Sequence, residues 1–114
     1  MINYTMAAPD QLEFYEIGTA DLANGERLFV EIGGLAIVVV NIGGQYFAIG
    51  DICSHDDGPL GDGLLDGNQL VCPRHGAEFD VRNGKAMTMP AVVDIPAYPT
   101  KIFEGNLFVG VPKS

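Results

Sequence analysis

The chain is short of the residues that hold metals, with two cysteines and two histidines in 114 residues. It is also short of positive charge. Six lysines and arginines face fifteen acids, for a net charge of −9. Nucleic acid and anionic membrane both attract the opposite sign, so neither is expected as a partner. Long apolar runs are missing as well. The longest, residues 35–40, is far too short to cross a bilayer. Residues 1–15 carry neither a basic stretch nor the apolar centre of a secretory signal. The expectation is a cytoplasmic protein, in which two thiols stay reduced. No stretch sustains a capped helical period, and no repeat or low-complexity linker divides the chain. One domain spanning residues 1–114 is expected, long enough to bury a core without disulfides.

What is present is a β pattern. Fifteen glycines are about twice the usual share. Many fall in hairpin signals at Gly33-Gly34, Gly43-Gly44, Asp66-Gly67-Asn68, Asn83-Gly84 and Glu104-Gly105-Asn106. Between the turns lie β-rich runs at residues 12–17, 27–32, 35–41, 45–49, 69–72, 78–81, 92–95, 98–103 and 106–111. Residues 19–23 are the one candidate for a helical turn. An all-β antiparallel sandwich or small barrel follows.

The four metal-binding side chains fall into one pattern. Cys53-Ser54-His55 is followed, after sixteen residues, by Cys72-Pro73-Arg74-His75. The first pair opens a turn-rich loop with Gly58, Pro59, Gly61 and Gly63, and the second closes the short strand from Gln69. A third loop, residues 86–91, holds Pro90 and two methionines and could shield a site between the other two. Structural zinc takes four such ligands, but its like ligands usually share a loop. Here each loop is mixed, and Cys-x-His is tight for two ligands on one ion. A binuclear iron–sulfur cluster with two cysteines on one iron and two histidines on the other suits the spacing better. Around these loops, Asp51, Asp56, Asp57, Asp62, Asp66, Glu78 and Asp80 face Arg74 alone. This acidic segment is a candidate docking face for a basic partner. Phe47 and Phe79 are expected in the core.

The sequence Cys53-Ser54-His55 … Cys72-Pro73-Arg74-His75-Gly76 resembles the Rieske [2Fe–2S] signature. The likeness runs on through Phe79-Asp80, Asn83-Gly84 and Pro90-Ala91 to Gly105 and Val109, covering roughly residues 26–111. The resemblance implies a Rieske-like fold: a sandwich or partial-barrel base with a small cluster-binding β subdomain inserted at about residues 52–90. It implies one [2Fe–2S] cluster per chain, with Cys53 and Cys72 on the inner iron and His55 and His75 on the outer one. High-potential members donate a Ser and a Tyr hydroxyl to the cluster sulfurs. The matching positions here are Ala77 and Phe79, and the extra cysteine pair and membrane anchor of that branch are missing. A low-potential, soluble ferredoxin is implied.

Such a carrier would take one electron from a flavoprotein reductase and pass it to a terminal oxygenase or similar redox enzyme with a basic docking surface. A self-contained oxygenase needs a further iron held by two histidines and a carboxylate, and no histidine is left to build it. The remaining alternatives are the small Rieske subunit of a nitrite reductase and, behind it, a structural zinc module.

Overall fold

The computed structural model describes residues 3–52, 60–73, 76–88 and 93–113. Ten strands form three antiparallel sheets among these residues, and the only helical elements are two 3-10 turns, Tyr4–Met6 and Pro9–Gln11. Of the four candidate ligands only Cys72 lies among the described residues, and the third-loop Pro90 also lies outside them.

The central sheet has the order β2 (Arg27–Ile32), β3 (Leu35–Ile42), β4 (Gln45–Gly50) and β8 (Ala97–Tyr98). Its first three strands are consecutive hairpins joined by the two Gly-Gly turns. Both glycines of each turn have positive φ, 57° and 83° at Gly33-Gly34 and 61° and 93° at Gly43-Gly44. That geometry matches the strand twist and is close to cost-free only for glycine-like residues. β3 is apolar on both faces because layers cover it on both sides. Ile37 and Val39 face one core with Ala48, Tyr98 and Ile32. Val38 and Val40 face the other with Ile49 and Ala97.

The first core is closed by an outer sheet of order β1 (Leu12–Thr19), β10 (Asn106–Pro112) and β9 (Thr100–Phe103), which contributes Leu107, Val109 and Val111. The sandwich base expected from the strand pattern is thus present. The N-terminal segment lies along the edge of β8. Asn3 bridges to Ala97, and the Tyr4 ring stacks on Tyr98 with centroids 5.5 Å apart. Burial, with a smaller contribution from Tyr4, pushes the Tyr98 phenol up to about 12.

The second core is closed by a small sheet of order β5 (Leu65–Asp66), β6 (Gln69–Val71) and β7 (Glu78–Asp80). Leu70, Cys72, Ala77, Phe79 and Val81 of this unit pack on Val38, Val40 and Ile49, with Leu60 and Ile95 completing the cluster.

Three local expectations need correction. Residues 20–23 form no helical turn; Thr19 ends β1, and Asn41 and Tyr46 take hold of the stretch that follows. The Asn41 side-chain amide donates to the Leu22 carbonyl at 2.6 Å, and the Leu22 N–H donates to the Tyr46 hydroxyl at 3.2 Å. Of the run expected at 92–95, the described residues 93–95 are not strand. The run expected at 98–103 is two strands, because Pro99 has no N–H to offer a ladder.

Candidate metal centre

β6 runs directly into Cys72. The Cys72 N–H donates to the Ala77 carbonyl at 2.6 Å, and the Gly76 N–H donates back to the Cys72 carbonyl at 3.0 Å. These two bonds bring Gly76 and Ala77 back beside Cys72, with Gly76 at φ 74°, a value β-carbon-bearing residues seldom adopt. Cys72 is 1% exposed, and its core companions Ala77 and Phe79 are fully buried. Phe79 pairs with Leu70 in the ladder, so alternation along β7 puts residues 77 and 79 on the face that Cys72 joins.

The first candidate-ligand loop leaves and returns through bonds on either side of residues 53–59. The Asp51 carboxylate oxygen Oδ1 accepts from the Leu60 N–H at 3.0 Å and the Gly61 N–H at 2.7 Å. The Arg27 guanidinium reaches from β2 and donates through Nη1 to the carbonyls of Gly61 and Gly63, at 2.6 and 2.8 Å. Its Nε donates to the Gly25 carbonyl at 3.1 Å. The returning limb then lies against β6. The Val71 N–H donates to the Leu64 carbonyl at 2.8 Å, and a β-carbon at Gly63 would overlap the Val71 carbonyl.

The third loop is closed in the same manner. Residues 85–88 run back along β7, with the Asp80 N–H donating to the Lys85 carbonyl and the Met87 N–H to the Glu78 carbonyl. The Ala86 N–H donates to Asp94 Oδ1 at 2.8 Å, joining the loop's two limbs. All three loop bases thus converge on the small sheet and on the core that contains Cys72.

The acidic segment divides once its contacts are known. Asp51 is engaged by backbone N–H groups. Asp80 is 4% exposed and accepts from the Arg82 N–H at 2.9 Å, Nε at 3.0 Å and Nη2 at 2.8 Å. These two are structural rather than docking acids. Asp62 and Asp66 are exposed and Glu78 is half-buried. Asp56 and Asp57 lie outside the described residues.

The hydrogen bonds from Arg82 hold the Asp80 carboxyl below its ordinary range, against the opposing effect of burial. A carboxyl with a lowered folded value adds stability above the ordinary carboxylate pKa, about 3.9, and loses it as pH falls through the lower one. An Asp80→Asn variant is therefore expected to be about 1–3 kcal/mol less stable at pH 7. The gap should narrow below about pH 4 as the wild-type carboxyl becomes protonated. Urea denaturation across that range measures it, and a gap that does not change with pH would contradict the ionic role.

The family described as Rieske [2Fe-2S] domain matches residues 13–99. The chain belongs to the Rieske [2Fe-2S] family. Among its relatives, the 3-phenylpropionate/cinnamic acid dioxygenase ferredoxin subunit of Escherichia coli K12 is 34% identical over 101 residues, 88% of this chain and 94% of the relative. The ferredoxin of carbazole 1,9a-dioxygenase from Nocardioides aromaticivorans IC177 superposes with a TM-score of 0.82 at 29% identity, covering 88% of this chain and 98% of that one. A complex of reduced oxygenase and oxidized ferredoxin in carbazole 1,9a-dioxygenase contains a chain matching at TM-score 0.81 and 29% identity, over 89% and 95% of the two chains. This Rieske chain is thus a ferredoxin of the dioxygenase type, an electron carrier rather than a catalyst, and its family carries one [2Fe–2S] cluster per domain.

The surroundings of Cys72 fit such a group. Two ferric ions, two sulfides and two thiolates cancel to zero charge, and neutral imidazoles leave that unchanged. A centre with no net charge in its oxidised form suits the wholly apolar companions that Cys72 has in the core. Three of the four sequence-derived ligands fall outside the described residues, and among the described ones no three His, Cys, Asp or Glu side chains gather as a metal cage. Sequence reasoning missed Arg27 and Asp94 altogether and assigned Asp51 to the surface. A polar residue just before the loop was the available signal at Asp51. None marks Arg27, two of whose three acceptors are backbone carbonyls more than thirty residues away.

Proposed function

We propose that Cys53 and Cys72 hold the inner iron of a [2Fe–2S] cluster and His55 and His75 the outer one. In this reading the chain carries single electrons from a flavoprotein reductase to a terminal oxygenase. The observation that carries the reading is the placement of Cys72. Its thiol is buried at the end of β6, beside Ala77 and Phe79, where the turn through Gly76 turns the chain back. The segment at about 52–90 acts as the cluster-binding insert. In support, β5, β6 and β7 lie within it and form a sheet of their own. The ferredoxin–oxygenase complex of the carbazole system supports an oxygenase as electron acceptor. Two thiols kept available as ligands fit the reducing cytoplasm. No described helix is long and apolar enough to cross a membrane.

When bound, the cluster accepts and releases one electron. The chain's own residues set how readily. Ala77 and Phe79 offer no hydroxyl to the buried thiolate side, so nothing at these positions preferentially stabilises the more negative reduced state. An Ala77→Ser variant should raise the midpoint potential by about 40 mV if its hydroxyl contributes ~1 kcal/mol to that state. A spectroelectrochemical titration reads the shift, and an unchanged or lower potential with the serine bonded to a sulfur contradicts this account.

In this reading docking uses the two imidazoles proposed for the outer iron, with the acidic surround steering a basic surface toward them. Electron transfer to the oxygenase should therefore slow as salt rises from 10 to 200 mM, as the Debye length shrinks from about 30 Å to below 10 Å. A stopped-flow rate independent of ionic strength would remove steering from the scheme.

The deciding experiment is pulsed EPR of the dithionite-reduced protein with a redox titration. Nitrogen couplings from two imidazoles are expected, with a potential toward the low end of the range of about −150 to +300 mV known for His-ligated clusters. A colourless protein with stoichiometric zinc, or a reduced cluster without nitrogen coupling, overturns the assignment.

A further inference from the structure

Residues 60–64 link the first ligand loop in sequence to the strand that ends at Cys72. They continue the first ligand loop, and through Gly63 and Leu64 they lie against Val71, the residue before Cys72. Gly61 is held from both sides, its N–H by the Asp51 carboxylate and its carbonyl by Arg27. There is no slack at this point. A β-carbon on Gly61 would overlap the Phe29 ring and come within 2.9 Å of Val38. Arg27 is anchored on the far side by its bond to Gly25 and by its place in β2, paired with Val40. The guanidinium therefore ties the limb joining the two ligand segments to the rigid central sheet.

We propose that Arg27 and Asp51 are positioning residues for the cluster, clamping Gly61 so that the Cys53–His55 loop stays in fixed register with the Cys72–His75 turn. The clamp restrains ligand movement when the centre changes charge by one electron. It differs from general stabilisation because it acts on the separation of two loops rather than on either core. This inference rests on the ligand reading given above.

The test uses the cluster-loaded protein and three variants. Arg27→Met keeps an unbranched apolar stem without donors, Arg27→Lys keeps a charge and a donor, and Leu107→Ala weakens the opposite core. Iron release to a chelator and the EPR line shape of the reduced protein are recorded alongside thermal melting. Arg27→Met should release iron at least about tenfold faster, as is typical when a partner supporting metal ligands is removed. Its EPR lines should also shift or broaden. Arg27→Lys should recover part of both effects. Leu107→Ala should melt at lower temperature with wild-type spectrum and release. Wild-type release and line shape in Arg27→Met, or equal acceleration in Leu107→Ala, overturns the clamp. Should Arg27→Met not fold, Asp51→Ala is judged by the same readouts. Wild-type protein holding two irons with imidazole couplings preserves the ligand reading whatever the variants do. Wild-type protein without iron overturns both.

Discussion

A Cys72→Ser variant is expected to purify without colour and without iron, while keeping the far-ultraviolet circular dichroism of a β protein. The reasoning combines ligand chemistry with burial. The charge balance of the cluster counts an anionic thiolate at this position, and a serine hydroxyl does not ionise near neutral pH as a thiol beside a metal does. Among the described residues, Cys72 shares its core cluster with Leu70, Ala77, Phe79 and Val38, none of which can donate an electron pair to iron. The fold itself should survive, because serine is close in size and its cost in an apolar core is about 1–3 kcal/mol. Metal analysis and the visible spectrum check the result. Two irons per chain with an unaltered spectrum would remove Cys72 from the ligand set.

Gly63→Ala is expected to be among the most damaging single-methyl changes in the described structure. The added carbon would overlap the Val71 carbonyl, which is backbone within β6 and cannot rotate aside. Relief requires the returning limb to lift away from β6. That movement would break the bond from the Val71 N–H to Leu64 and pull on both carbonyls held by Arg27. A loss of about 3 kcal/mol or more follows, at the upper end of overpacking costs. Cluster content should fall with it. Asp62→Ala, one residue away and exposed, is the matched control and should stay within about 0.5 kcal/mol. Equal denaturation midpoints for the two variants would show that the limb has room the structure does not give it.

Which parts of this molecule could be read from its sequence follows from how local their causes are. The hairpins were legible because Gly-Gly turns act on adjacent residues, and strand β2 matches its expected bounds. The proposed ligand pattern stands out in the sequence because four scarce side chains leave few ways to pair, and of these only Cys72 lies among the described residues. Strand β5 was not, since two residues carry no period of their own and pair only by virtue of the following turn. The run at 92–95 has β-branched residues, yet its described residues 93–95 are not strand, because pairing rather than propensity decides such cases. Asp51 and Asp80 were read as surface charge because composition counts carboxylates without seeing what they accept. Their internal roles depend on N–H groups that only the folded chain brings to them. Phe79, in contrast, was placed correctly in the core because alternation along a short strand was enough.

The double-sided burial of β3 carries a consequence for insertions and deletions. In most sheets a slip of one residue moves apolar side chains into water, and that penalty fixes the pairing. Along Ile37-Val38-Val39-Val40 a slip would only exchange one set of aliphatic residues for another. Hydrophobicity therefore gives this strand little sense of its own phase. Phase comes instead from the two-residue turns at its ends and from Asn41, whose side chain bonds the Leu22 carbonyl and the Gly44 N–H. One residue added to either Gly-Gly turn would thus be tolerated by the core's composition yet would send Val38 and Val40 to the wrong layer. The length of these small turns, more than the identity of the valines, decides which layer each side chain enters.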